Sequence, residues 1–471
     1  LLAGNAALAD VTPEQVWENW KALSAAQGQT IAAASEAREG DALVVKGITM
    51  TTAQTGASGT LALDQATFTD AGDGSVVLTT SDVMTMAIKS AAIADTPETT
   101  TRVSIALPGF TTKVSGSPEE MRYEMAGPSI TVKLDGIDGD KDIPTDLKVE
   151  ATMTGLAGDY MVSGSTEKTI ASTFSAEGLA AIIAGSNPAD ASKVNVTLNV
   201  AGLSGQSNSK IIGDMADVAA ALKAGTTMTG GFAYQSASFD MAVTDANGDM
   251  KMQGTNAGGD ATFALDGSKL AYGGTVKDAN ITVSGAQIPF PQVNLAYKEG
   301  AFKLAMPVAK SDSPSDFAFL MKLADLTISD EIWNMFDPGQ QLPRDPMTVH
   351  LDTTGKVKLA VDLMDETAMM GLQGAPGELH ALDIKALQIK LAGADVTGTG
   401  ALTFDNTDMT TFAGVPAPTG SVDLKAVGVN GLLDKLMAMG LVPEDQMMGA
   451  RMMLGMFAKV VEGETDTMTS S

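Results

Sequence analysis

Few side chains in this sequence have the type and spacing to do chemistry. Asp138-Gly139-Asp140-Lys141-Asp142 sets acidic residues at alternate positions, as a calcium loop does. The sixth position of such a loop needs a glycine for its sharp turn and holds Ile143. The twelfth needs a bidentate Glu and holds Val149. Asp245-Ala246-Asn247-Gly248-Asp249 fails likewise and reads as a hairpin turn about Asn-Gly. A Ser-His-Asp triad would need His350 or His380, the chain's two histidines. Both fall in strand patterns, at 348–352 and 378–382, and no Gly-x-Ser-x-Gly elbow occurs. Asp330 and Glu331 could pair as glycosidase carboxylates, but no Trp and Tyr surround them and the first turn of a helix already explains them. Cysteine is absent, which excludes thiol catalysis, iron–sulfur clusters and thiolate zinc sites. The residues predict no enzyme and no cofactor.

The elements that would position such groups are mostly strands. Short alternating runs rich in Thr and Val recur at 42–50, 60–68, 75–80, 83–88, 101–107, 130–134 and 193–200, punctuated by Gly, Asp, Asn and Ser. Period two with turn residues at this spacing predicts an antiparallel meander, apolar on one face and polar on the other. The theme resumes where Phe239, Met241 and Val243 alternate, and it continues to 421–429. Thr12-Pro13-Glu14-Gln15 is a capping box that predicts a helix over 13–27, with Val16, Trp17, Trp20 and Leu23 on one stripe. Shorter helical patterns lie at 175–184 and 214–223. Ser329 caps a helix at 330–336, which Pro338-Gly339 ends. A helical pair is expected at 431–439 and 444–460. Met447, Met448, Met452, Met453, Leu454, Met456 and Phe457 make its second member apolar nearly all round, which predicts burial on more than one side.

Roughly twenty strands against five or six short helices is an α+β pattern, predominantly antiparallel β. The expected architecture is a long curved multi-strand sheet, a meander or trough, with short amphipathic helices. The chain has 471 residues, enough for two or three domains or one continuous β-structure. A division at 10–225 and 226–471 is expected, the second half carrying the Met-rich helical pair.

Asp and Glu number 57 against 30 Lys and Arg, a formal charge of −27 that repels nucleic acid and anionic surfaces. No later apolar run is long enough to span a bilayer as a helix. The opening nine residues are small and apolar and end in Ala7-Leu8-Ala9, an A-x-A-type cleavage site ahead of Asp10. They read as a signal-peptide remnant cleaved after Ala9. A chain of this size without disulfides then fits the periplasm. The stretch 466–471 reads as a strand cut midway, so a longer natural chain is expected.

Several stretches resemble an uncharacterised family of exported alphaproteobacterial proteins, a domain of unknown function. They include Thr12-Pro13-Glu14-Gln15-Val16-Trp17, Ile288-Pro289-Phe290-Pro291, and Phe336-Asp337-Pro338 with Leu342-Pro343-Arg344-Asp345-Pro346. The resemblance implies no catalytic residues. More loosely, the strand meander is similar in architecture to the AsmA-type envelope proteins, which implies a greasy trough that handles lipid.

The expected function is non-catalytic binding or conveying of lipid, a phospholipid or another apolar ligand, in a β-groove. The competing reading is a structural or interaction module of the cell envelope. Candidate residues for an apolar ligand or for core packing are Met448, Met452, Met456, Phe457, Leu432, Leu436 and Trp333. Pro343, Arg344, Asp345 and Pro346 form a structural or docking loop: two prolines stiffen it, and its charged pair ties it to its neighbours.

Overall fold

The computed structural model describes residues 10–470, apart from 27, 55, 93–96, 140–143, 145, 165–166, 188, 214–217 and 373. Ala7-Leu8-Ala9 and most of 138–142 therefore lie outside the described residues. Strand makes up 63% of the chain and helix 12%, so the fold is α+β with β dominant. Every strand pairing with a described register is antiparallel. The chain folds as two compact units, Leu1–Gln253 with Gly285–Gln287, and Gly254–Ser284 with Ile288–Ser471.

In the first unit, helix α1 (Pro13–Ala26) starts at its capping box. The Gln15 amide donates to Thr12 Oγ1 at 3.3 Å, and Gln15 Oε1 accepts the Thr12 amide at 2.9 Å. The stripe it carries is the one the spacing predicts: Val16 and Trp17 are fully buried, with Trp20 packed beside them. They cover a fork in the sheet. The strand Ala57–Asp70 pairs with Val83–Ser90 through Ala57–Leu63 and with Val76–Thr80 through Ala66–Asp70. Glu120–Asp138 divides in the same way between Thr111–Ser117 and Thr99–Ala106. Phe68, Val76, Leu78, Val114 and Tyr123 line the fork, and Trp17 and Trp20 pack on Phe68 with centroids 5.9 and 5.5 Å away.

Beyond the fork, Glu120–Asp138, Lys148–Ser163, Lys168–Ser186 and Lys193–Ile211 run side by side. The helical pattern at 175–184 is thus corrected to strand. Its small apolar residues match both periods, and partners pair along both of its edges, which overrides local propensity. Pairing lapses at Pro128, Gly155, Glu177 and Gly202, which hold matching positions in these strands, a crease in the ladder. The apolar phase shifts by one residue there, from Met153 to Leu156 and from Val200 to Leu203. Gly155 and Gly202 are left-handed, with φ of 60° and 63°, and a Cβ on either would lie 2.4 Å from the side chain of Glu177 or Gln235. Helix α2 (Val218–Lys223) is the described part of the pattern at 214–223.

The second unit is a sequential meander. Gly259–Leu265, Lys269–Gly285, Val293–Pro307, Ser315–Ile328, Met347–Leu359, Gly377–Leu391, Ala394–Asp405 and Ala417–Val427 pair each with the next. Thr467–Ser470 then adds to the last of these. It too has a crease: pairing lapses at Asp278, Lys298 and Asp325, which hold matching positions, and both aspartates have positive φ. Among the described residues four helices decorate this unit: α3 (Asp330–Phe336), α4 (Glu366–Met370), α5 (Val429–Ala438) and α6 (Glu444–Phe457).

The expected burial of the last helix is overturned. Only Met447 of α6 is buried, while Met448, Met452, Met456 and Phe457 are 61 to 70% exposed. Its Met face, which also carries Gly449 and Gly455, is open to solvent among the described residues; the helix rests on α5 and is tied there by Arg451 to Asp434. Residues 459–460, expected as helix, form a short strand instead.

Candidate functional site

Residues opposed across an antiparallel pair project from the same face, so register alone sorts the two faces of the second unit's sheet. One face is continuously apolar. A row across the strands runs Phe263, Tyr272, Leu304, Phe319, Thr353, Ile384. The next row on the same face runs Phe302, Met321, Leu351, Leu387, with Gly274 and Gly398 at its ends. A third adds Leu323, Val349, Ile389 and Val396. Tyr272, Phe302 and Phe319 form a chain of rings with centroids 5.6 and 5.7 Å apart.

This face is uncovered. Phe263 is 48% exposed, Tyr272 44%, Met321 43% and Ile389 48%. Isolated exposed hydrophobics are ordinary, whereas a contiguous apolar patch on a protein surface marks a place where something else binds. The arrangement offers no proton transfer and no nucleophile, only dispersion and exclusion of water along several strands.

The opposite face is polar. Lys322, His350, Gln388, Thr397 and Lys425 form one row across it. A basin of about 690 Å³ lies over the end of that row, with Asp423, Lys459 and Phe457 of α6 among its lining. His350 belongs to this row and His380 approaches Glu378 at 3.4 Å, both on strands as their sequence context predicts. Among the described residues no cluster of three His, Cys, Asp or Glu could hold a metal ion. Asp245 accepts the Asn247 amide at 2.7 Å, so that acidic run serves its own turn.

The sequence-predicted residues divide into two groups. Trp333, Leu432 and Leu436 come together: Trp333 is buried with Leu342 and Ala392, and α5 lays Leu432 and Leu436 against them. Met448, Met452, Met456 and Phe457 do not join that cluster. In the proline-flanked loop, Arg344 pairs with Asp330 and donates to Asn334 Oδ1 at 2.6 Å, so its guanidinium braces α3. Pro343 lies half-buried beside Gly393, while Asp345 and Pro346 are exposed.

Sequence reasoning missed Asp337. It is fully buried at the C-cap of α3 and accepts the amides of Gln341 at 2.9 Å and Leu342 at 2.8 Å. Burial raises its carboxyl, but those two amides, with Arg344 and Lys435, outweigh it and hold it below the ordinary carboxylate value. The signal was present in Phe336-Asp337-Pro338, an Asp directly after a helix and before a proline. Also missed was the ring chain, although alternation at Phe317, Phe319, Met321 and Leu323 is plain in the sequence.

No curated protein matches this chain, and no solved structure does. A family of uncharacterised proteins conserved in bacteria (DUF2125) matches residues 216–470, more than half of the chain and nearly all of the sheet just described. The chain belongs to that family.

Proposed function

We propose that this protein binds lipid, or another long apolar ligand, along the open apolar face of the second unit's sheet, without catalysis. The observation that carries this reading is the uncovered patch of Phe263, Tyr272, Phe302 and Met321, from two adjacent rows, beside the aliphatic side chains of the neighbouring strands. Covering the exposed part of one such side chain, a little under half of it, stabilises a complex by about 1 kcal/mol, so a long chain lying across several strands accumulates a useful gain without any polar anchor. Methionines on that face adapt to a flexible acyl chain better than branched side chains do. The reading includes export to the periplasm, for which Ala7-Leu8-Ala9 and the lack of cysteine are the support.

The test is native mass spectrometry of protein purified without detergent, followed by solvent extraction. Co-purified phospholipid or fatty acid that solvent removes is the expected result. The double variant Phe302→Asp with Met321→Lys keeps the fold, because both positions are partly exposed, and loses the lipid. Lipid-free wild-type protein that also fails to take up a fluorescent fatty acid would refute the proposal.

A second reading, an interaction module of the cell envelope, has its own observation in α6. Its exposed Met448, Met452, Met453 and Met456 lie apart from the α3–α5 cluster. Crosslinking in cells through a photoreactive group at position 452 that captures one envelope protein, in lipid-free preparations, would favour it.

A further inference from the structure

The first unit holds a cavity that the sheet-face reading does not use. It measures about 310 Å³ and lies between α1 and the forked end of the sheet, lined by Trp20, Leu23, Leu78, Tyr123, Met125 and Tyr160, with Thr112. That volume is at the lower end of ligand pockets, which are about 300–1,000 Å³. Its walls are rigid. Trp20 is held edge-on to Phe68, and Tyr123 and Tyr160 are opposed across their strands with rings 6.1 Å apart. The Tyr123 hydroxyl is occupied, donating to Asn19 Oδ1 at 2.7 Å, and burial raises its pKa, so it stays neutral. The lining is thus predominantly apolar and carries no charged side chain.

The cavity also has an approach. Met125 of its wall is opposed by Gly158, Gly158 by Phe174, Phe174 by Gly205 and Gly205 by Phe232. Large side chains thus alternate with glycines along one row on one face. Phe174 lies over its neighbouring glycine, since a Cβ on Gly205 would stand 2.1 Å from the ring. Phe174 and Phe232 are 43 and 49% exposed. The row is therefore a shallow apolar path that starts at the surface and ends at the cavity.

We propose that this cavity receives the methyl end of an acyl chain that lies along the Met125–Phe232 row. The proposal rests on the lipid-binding reading and adds a separate acyl site that lies wholly within the first unit. A ring-walled apolar pocket suits a terminus without polar atoms, and the open row suits the methylenes that precede it.

Trp20 reports on the cavity directly. The full chain is titrated with two fatty acids of equal length, one brominated near the methyl end and one beside the carboxyl. Total binding is followed separately by equilibrium dialysis of a radiolabelled fatty acid. The Trp20 contribution is the part of the fluorescence quenching lost in Trp20→Phe. The expected result is several-fold stronger quenching of that part by the methyl-end bromide. Leu23→Arg, on the half-exposed mouth, removes the preference while the dialysis signal remains. Bound fatty acid with equal quenching by the two probes, or with none at Trp20, overturns the cavity assignment and leaves the sheet-face reading standing. No binding in dialysis overturns both. Should Leu23→Arg fail to fold, the two-probe comparison on the wild-type chain still decides.

Discussion

Helices α1 and α6 have the same length, fourteen residues, and opposite fates. In α1 the apolar residues sit on one stripe and two of them are tryptophans; Val16 and Trp17 vanish from solvent into the forked sheet. In α6 the apolar residues are more numerous and surround the axis, yet only Met447 is covered. The count of apolar residues therefore does not decide burial. A stripe of stiff rings has one orientation in which all its surface is removed from water, and Phe68 supplies the complementary edge. A flexible Met helix has many orientations of similar energy, and fixing one costs side-chain entropy.

The sharpest way to break this comparison is to truncate one residue on each helix. Trp17→Ala should destabilise the first unit by about 3–5 kcal/mol, since it leaves a cavity against Phe68, whereas Met452→Ala should change stability by less than about 0.5 kcal/mol. Thermal unfolding of the two variants checks this; equal losses would mean that α6 is docked in solution. Within α6 itself, Met447→Ala should cost about 2 kcal/mol and its neighbour Met448→Ala almost nothing, which denaturant titration resolves. Thr12→Ala removes the α1 capping box and should cost about 1 kcal/mol, read as a shift in the chemical denaturation midpoint of the first unit. For α6 no such cap exists to remove, because Pro443 at its N-cap makes no side-chain bond.

A last contrast is α3, which adds a buried carboxylate to its packed Trp333. The Asp337 carboxyl is held below its ordinary 3.8 in the folded state. Its contribution to stability is therefore complete above about pH 4 and is lost as pH falls through the depressed folded value. Acid titration of Trp333 fluorescence should show this loss in the wild type, and Asp337→Asn should flatten it. An unchanged acid limb in that variant would show that Asp337 does not hold the α3 loop.

Much of this was legible in the sequence where one local rule and one tertiary demand agree. Thr12, Pro13 and Gln15 name the start of α1, and Ser329 with Pro338 brackets α3 within a residue. The strand meander is legible from alternation and turn residues. The segment 175–184 was not, because its Ala and Ile residues satisfy a helix and a strand equally and only the partner strands choose. The creases were visible only as places where alternation slips a phase, at Gly155 and at Asp278, and a slip looks like an error until the neighbouring strands slip at the same position. The site was half legible: Trp333, Leu432 and Leu436 do meet. The open ring chain was hidden because sequence shows which face is apolar and not whether anything covers it.

The exposed α6 also gathers several of the chain's oxidisable groups in one place. With no cysteine present, methionine is the oxidisable sulfur of this protein, and Met448, Met452, Met453 and Met456 offer theirs to solvent within three turns of one helix. Oxidation converts a thioether into a polar sulfoxide. The same four residues that give α6 its apolar surface are thus, with Met335 and Met370, among those that peroxide would turn hydrophilic ahead of the buried Met121, Met447 and Met468.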